Sequence, residues 1–169
     1  MQEFWVMFAG NISLSTALAP RRAVADLIDT TAGFAAGTRL RSVIGPRRVE
    51  DLRIGDLLLD RHARLITLHS IRSFVIEAEE LVQIDPSAFG IGVAPGRLHP
   101  KLIVGAGQRL GVRDWRTDIL FGAASLAPAR RLVDGVHIHR SPQPARIFQL
   151  GFGADVLLDI GGLVAQVRG

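Results

Sequence analysis

Gly33-Phe34-Ala35-Ala36-Gly37-Thr38-Arg39-Leu40, then Arg48-Val49-Glu50-Asp51-Leu52-Arg53-Ile54-Gly55-Asp56-Leu57-Leu58-Leu59, is the stretch whose reading decides the fold of this chain. Thr38 to Val43 alternates weakly between polar and apolar residues, and Gly45-Pro46 reads as a turn. Val49 to Leu59 alternates around Gly55 until the charged break Asp60-Arg61-His62. Alternation with a period of two marks a strand with one buried face, and Gly and Pro punctuate the connections. The stretch predicts short strands joined by tight loops.

The same texture continues outward. Leu65 to Val75 reads as a strand region with a kink, and Leu81-Val82-Gln83-Ile84 as a short strand stopped by Asp85-Pro86. Phe89 to Pro100 is loop-like, Leu102-Ile103-Val104 has the look of a buried strand, and Leu110-Gly111-Val112-Arg113 begins its return after Gly105-Ala106-Gly107. Ala123 to Leu132, interrupted by Pro128, has room for a helical turn or two. Asp134-Gly135 predicts a hairpin turn feeding the alternating run Val136-His137-Ile138-His139. Ile147 to Leu150 and Val156 to Ile160 are expected to be the last two strands. So many strands at turn-limited spacing predict an all-β domain. Upstream, Val24, Leu27 and Ile28 share one helical face, so a short helix is expected over residues 21–29, in a leader spanning 1–32 ahead of a domain spanning 33–169.

Composition bounds the function. A chain of 169 residues with 48% hydrophobic content can close one core without covalent staples. It has no cysteine, which removes disulfides, thiolate zinc sites and thiol nucleophiles together. The net charge of +4 comes almost wholly from arginine, with Lys101 the one lysine. The arginines are dispersed, in pairs at Arg21-Arg22, Arg47-Arg48 and Arg130-Arg131, without the interleaved aromatics that stack bases, so nucleic acid is not the expected partner. No apolar run approaches the roughly 18 residues that a membrane span needs, and a soluble domain is expected. Phe4 to Gly10 with Ala17-Leu18-Ala19 imitates a signal peptide, but Glu3, Asn11 and Pro20 are misplaced for one, which favours the cytoplasm over export.

The blocks quoted above are followed, in order, by Leu98-His99-Pro100-Lys101-Leu102-Ile103-Val104, by Asp118-Ile119-Leu120-Phe121-Gly122 and by Leu126-Ala127-Pro128-Ala129-Arg130-Arg131-Leu132-Val133-Asp134-Gly135. Together, over about residues 33 to 165, they resemble the bacterial Hint (hedgehog/intein) family. There the first block reads Cys-Phe-x-x-Gly-Thr before a valine-glutamate-aspartate-leucine run ending in Gly-Asp. The second reads Ser-Pro-x-His before an apolar strand. The last carries Leu-Phe-Gly, Pro-Ala-Arg and Leu-Val-Asp-Gly. The resemblance implies the Hint horseshoe, an all-β fold of many short curved strands with pseudo-twofold character. It also implies autoprocessing: a cysteine or serine attacks the carbonyl just before it, exchanging an amide for a thioester or ester.

That chemistry needs a thiol or hydroxyl at the first position and a group that protonates the leaving nitrogen. Carried onto this chain, the nucleophile position is Gly33, which has no side chain. The family histidine of Ser-Pro-x-His falls on Leu102 and the small hydroxyl residue on His99. Further on, a family Tyr-x-His and a later histidine align with Gln149 and Ala154. Splicing also needs a terminal asparagine, and the one asparagine is Asn11. The expectation is therefore a Hint-type domain that is catalytically inactive, with Thr38 and His99 as nearby remnants and no cofactor or metal. A protein partner is compatible with this reading.

Two other readings compete. One is self-cleavage by a non-standard hydroxyl, such as Thr31 in a slipped register or Thr38 or Ser42, although no positioned base is apparent. The other is an arginine-rich module for nucleic acid or an acidic surface, whose binding would weaken steeply with salt. His137 and His139 form a candidate ligand pair without a supporting carboxylate, and Glu77, Glu79 and Glu80 read as a solvated acidic face.

Overall fold

The computed structural model describes residues 31–85, 101–111 and 126–169. Along the chain these form β1 (Phe34–Ala35), β2 (Arg39–Ser42), β3 (Gly45–Arg48), β4 (Leu57–Leu59), β5 (Leu65–Thr67), β6 (Ser70–Ile76) and β7 (Leu81–Ile84). They continue as β8 (Leu102–Gly105), β9 (Arg109–Gly111), β10 (Ala127–Pro128), β11 (Ile138–Arg140), β12 (Ala145–Gly151), β13 (Val156–Ile160) and β14 (Leu163–Val167). The only helical pieces among the described residues are 3-10 turns, so the molecule is all-β as expected. The helix expected at 21–29 lies outside the described residues, as does the whole loop from Phe89 to Pro100 with His99.

The strands make a six-stranded sheet in the order β11-β7-β8-β1-β12-β6 and two four-stranded sheets, β10-β9-β14-β13 and β3-β2-β4-β5. Every pairing is antiparallel. One apolar core joins all three sheets, with Phe34, Val82 and Val104 from the first, Leu110, Leu158 and Ile160 from the second, and Leu40 and Leu58 from the third. A smaller cluster of Ile76, Leu81 and Ile147 covers the other side of the six-stranded sheet. β1 is thus buried on both faces, since Phe34 belongs to the large core and its neighbour Ala35 pairs with Ile147 of the small one.

The elements depart from the sequence expectations in four places. The turn expected at Gly45-Pro46 is two residues earlier: Gly45 pairs with Ser42, leaving Val43-Ile44 at the tip. Ser42 closes this turn, its hydroxyl donating to the Gly45 carbonyl (2.6 Å) and accepting from the Ile44 amide (3.3 Å). Pro46 then sits on β3, an edge strand where a missing N–H costs no ladder bond. Val49–Asp51 is a 3-10 turn rather than a strand. Val49 and Leu52, three apart, are both buried, which is the repeat of that helix.

Asp134-Gly135 does turn the chain, but the strand it feeds starts at Ile138, not Val136. Asp134 Oδ1 accepts the amides of Val136, His137 and Ile138, each at 2.8 Å, which winds these residues around the carboxylate instead of extending them. His137 therefore lies off the strand that carries His139, and among the described residues no cluster of three metal-binding side chains occurs. Finally, Val156–Ile160 is not the last strand. Gly161-Gly162 reverses the chain, and β14 returns between β13 and β9.

Candidate functional site

The residues ahead of β1 are held at the middle of the six-stranded sheet by their carbonyls. The Gly105 amide donates to the Gly33 carbonyl (3.0 Å), and the Gly107 amide to that of Thr31 (3.4 Å). Between them, the side-chain amide of Gln149 donates to the carbonyl of Ala32 at 2.8 Å. Gln149 comes from β12, where it pairs with Arg72 of β6, and 117 positions of sequence separate it from Ala32. The Ala32–Gly33 peptide, the bond the family chemistry would address, is therefore fixed, and its carbonyl is polarised by a neutral amide.

Gly33 is buried, with φ at +142°. A Cβ built there would lie 2.8 Å from the Phe148 carbonyl oxygen and 3.1 Å from Ile147 Cδ1. Real Cβ atoms do not approach a carbonyl oxygen that closely, and L side chains avoid that φ. The backbone therefore occupies the place a nucleophile's β-carbon would take. Gly105 is constrained from the opposite strand: a Cβ there would lie 1.6 Å from the Thr31 carbonyl oxygen, so only glycine lets β8 approach this segment.

The other sequence candidates are placed as follows. Leu102 is half-buried at the start of β8, paired with Ile84, and offers no donor or acceptor from its side chain. Thr38 is buried, and its hydroxyl donates to the Ala35 carbonyl at 2.7 Å while its amide reaches the same oxygen at 3.2 Å. Its carbonyl accepts from Val49 at 2.8 Å, so Thr38 closes the connection from β1 to β2 and seats the 3-10 turn. Ala154 is exposed beyond β12. Glu77, Glu79 and Glu80 are exposed around a 3-10 turn. The Gln149 contact was legible only through the resemblance; the approach of Gly105 to Thr31 had no signal beyond the turn reading of Gly105-Ala106-Gly107.

Gln149 thus supplies the Ala32–Gly33 peptide with a carbonyl donor that is neither a nucleophile nor a titratable group. An amide aimed at a carbonyl can stabilise developing negative charge, as oxyanion-type donors do, but cannot carry a proton away.

Short antiparallel strands curving through three sheets around one core, with the first strand threaded between β8 and β12, define a Hint/intein-type fold. Solved structures agree. The MchDnaB-1 intein (N145AA) matches with a TM-score of 0.50 at 16% identity over 80% of this chain and 99% of its own. The Msm DnaB1 intein splicing domain bound with zinc matches with the same TM-score and identity over the same shares of the two chains. At that identity the likeness concerns the fold alone. The Hint domain family model matches residues 32–155, and the chain belongs to that family. No curated protein matches it.

Proposed function

We propose that this chain is a Hint-type domain that folds without cleaving itself. The observation that carries this reading is Gly33: the family's nucleophile position has no side chain, and Phe148 and Ile147 crowd the place where one would begin. Two further substitutions support it. Leucine stands at position 102, where the resemblance puts a histidine, and Gln149 contacts the Ala32 carbonyl through an amide that does not titrate. The domain comprises residues 33–169, with 1–32 as its leader. The family match over residues 32–155 supports where that domain begins.

Hydroxyl-based cleavage is the competing reading, favoured by one contact, the Gln149 amide on the Ala32 carbonyl. Intact mass distinguishes the two. The full chain, tagged at both ends, is incubated with and without a strong thiol. The inert reading expects one unchanged mass in both conditions. A clean break at Ala32–Gly33 or beside Thr31 would replace it with the hydroxyl mechanism.

A further inference from the structure

On the sheet β3-β2-β4-β5, residues alternate between core and solvent, and the pairing register determines what shares the outer face. Leu40, Ser42 and Leu58 point inward and are buried. Arg39 pairs with Arg48 and Arg41 with Pro46, all four exposed. Ser42 opposite Leu58 puts Arg41 beside Leu59 and Val43 beside Leu57, and Leu59 in turn faces Leu65. Leu57 is 42% exposed, Val43 52%, Leu65 62% and Ile44 at the hairpin tip 81%. One continuous face therefore carries Val43, Leu57 and Leu65 beside Arg39, Arg41 and Arg48.

Two features of this face work against the isolated domain. Like charges directly opposite on neighbouring strands destabilise the pair, yet Arg39 faces Arg48. Among the described residues neither they nor Arg41 has an ion-pair partner, although Arg47, pointing inward, pairs with Asp56 at 2.7 Å. The second feature is the exposed apolar cluster, which loses free energy to water until covered.

We infer that this face docks an acidic polypeptide segment that presents carboxylates and apolar side chains together on one side. An extended strand presents every second residue to one side, so carboxylates and apolar residues taking turns at those positions suit arginines interspersed with leucines. Carboxylates supply the charge that Arg39, Arg41 and Arg48 lack, and Arg binds them bidentately. A second copy of this chain is a poor occupant, because a self-complementary contact would set these arginines against each other and the chain is already +4. Nucleic acid would satisfy the arginines but leave the leucines against phosphate, with no aromatic on the face to stack a base.

The test is fluorescence anisotropy of a labelled peptide, with glutamate and leucine taking turns at every second position and threonine between, titrated with the full chain. Poly-glutamate of equal length, a single-stranded oligonucleotide and phosphatidylserine vesicles are run alongside. Saturable binding of the alternating peptide is expected, weakened about tenfold by R41E and about fivefold by L65Q or L57Q, with R131E, the same charge change outside this sheet, within about twofold of the unaltered chain. Far-UV circular dichroism checks that each variant folds. The proposal is overturned if the peptide does not saturate, if poly-glutamate binds equally and neither leucine variant matters, or if R131E weakens binding as much as R41E. Binding by the oligonucleotide or the vesicles alone would likewise overturn it.

Discussion

Restoring a side chain at position 33 involves more than returning a nucleophile. At φ +142°, with the Phe148 oxygen 2.8 Å from the built Cβ, an L residue must either shift β12 or leave its own conformation. Gly33→Cys is expected to lower stability by about 1–3 kcal/mol, the usual cost of a non-glycine residue in such a region, and to show no thiol-dependent break. Urea unfolding and intact mass check the two halves. Thiol-released fragments from that variant would mean that the clash relaxes and that Gln149 suffices to activate the Ala32 carbonyl. That the proposed nucleophile position holds a glycine could be read from the first block of sequence. That its space is now filled could not, because the filling atoms belong to Ile147 and Phe148, more than a hundred positions away, and depend on the register of β1 against β12.

At the scale of elements, patterns with a local cause were legible and those set by distant partners were not. Leu81–Ile84 and Leu102–Val104 read correctly as strands because buried apolar runs bounded by turn residues have few alternatives. Val49 to Leu52 misled because four residues cannot distinguish a repeat of two from one of three. What decided it was the Val49 amide reaching the Thr38 carbonyl at 2.8 Å. β14 had a signal in Gly161-Gly162 followed by Leu163-Val164-Ala165, and its place between β9 and β13 makes it indispensable. Leu163, Val164 and Val167 are each no more than 7% exposed. Burying such side chains contributes roughly 1.5–3 kcal/mol apiece, comparable together to much of the roughly 5–15 kcal/mol that keeps an ordinary domain folded. Ending the chain at Gly162 is expected to abolish cooperative thermal unfolding, as calorimetry would register. A sharp transition in the shortened chain would show that β13 and β9 close on each other without β14.

At the scale of the whole molecule, two loop carboxylates among the described residues tie stability to acid. Asp134 is held down to about 2 by the backbone amides of Ile138, Val136 and His137. Asp60 is pulled upward by burial, but the backbone and side chain of Arg64 and the backbone of His62 outweigh this and leave it below its ordinary value of 3.8. A carboxylate depressed in the folded state stabilises above its unfolded pKa and ceases to as pH falls through the folded one. Stability is therefore expected to hold down to about pH 4 and to decline from there toward pH 2. Asp134→Asn should flatten that decline in melting temperatures measured across the interval; an unchanged acid limb would assign the loss to other carboxylates.

The segment Thr31 to Ala35 enters the fold at the centre of its largest sheet, not at an edge, with β8 on one side and β12 on the other. In an active relative of this design, self-cleavage would sever whatever lies upstream from that position. On the proposal that the Ala32–Gly33 bond stays intact, the same geometry becomes a tether. Tension applied to the chain ahead of residue 31 passes directly into the middle of the sheet, so a pull from that side must break the pairings of β1 with β8 and β12 before the segment yields.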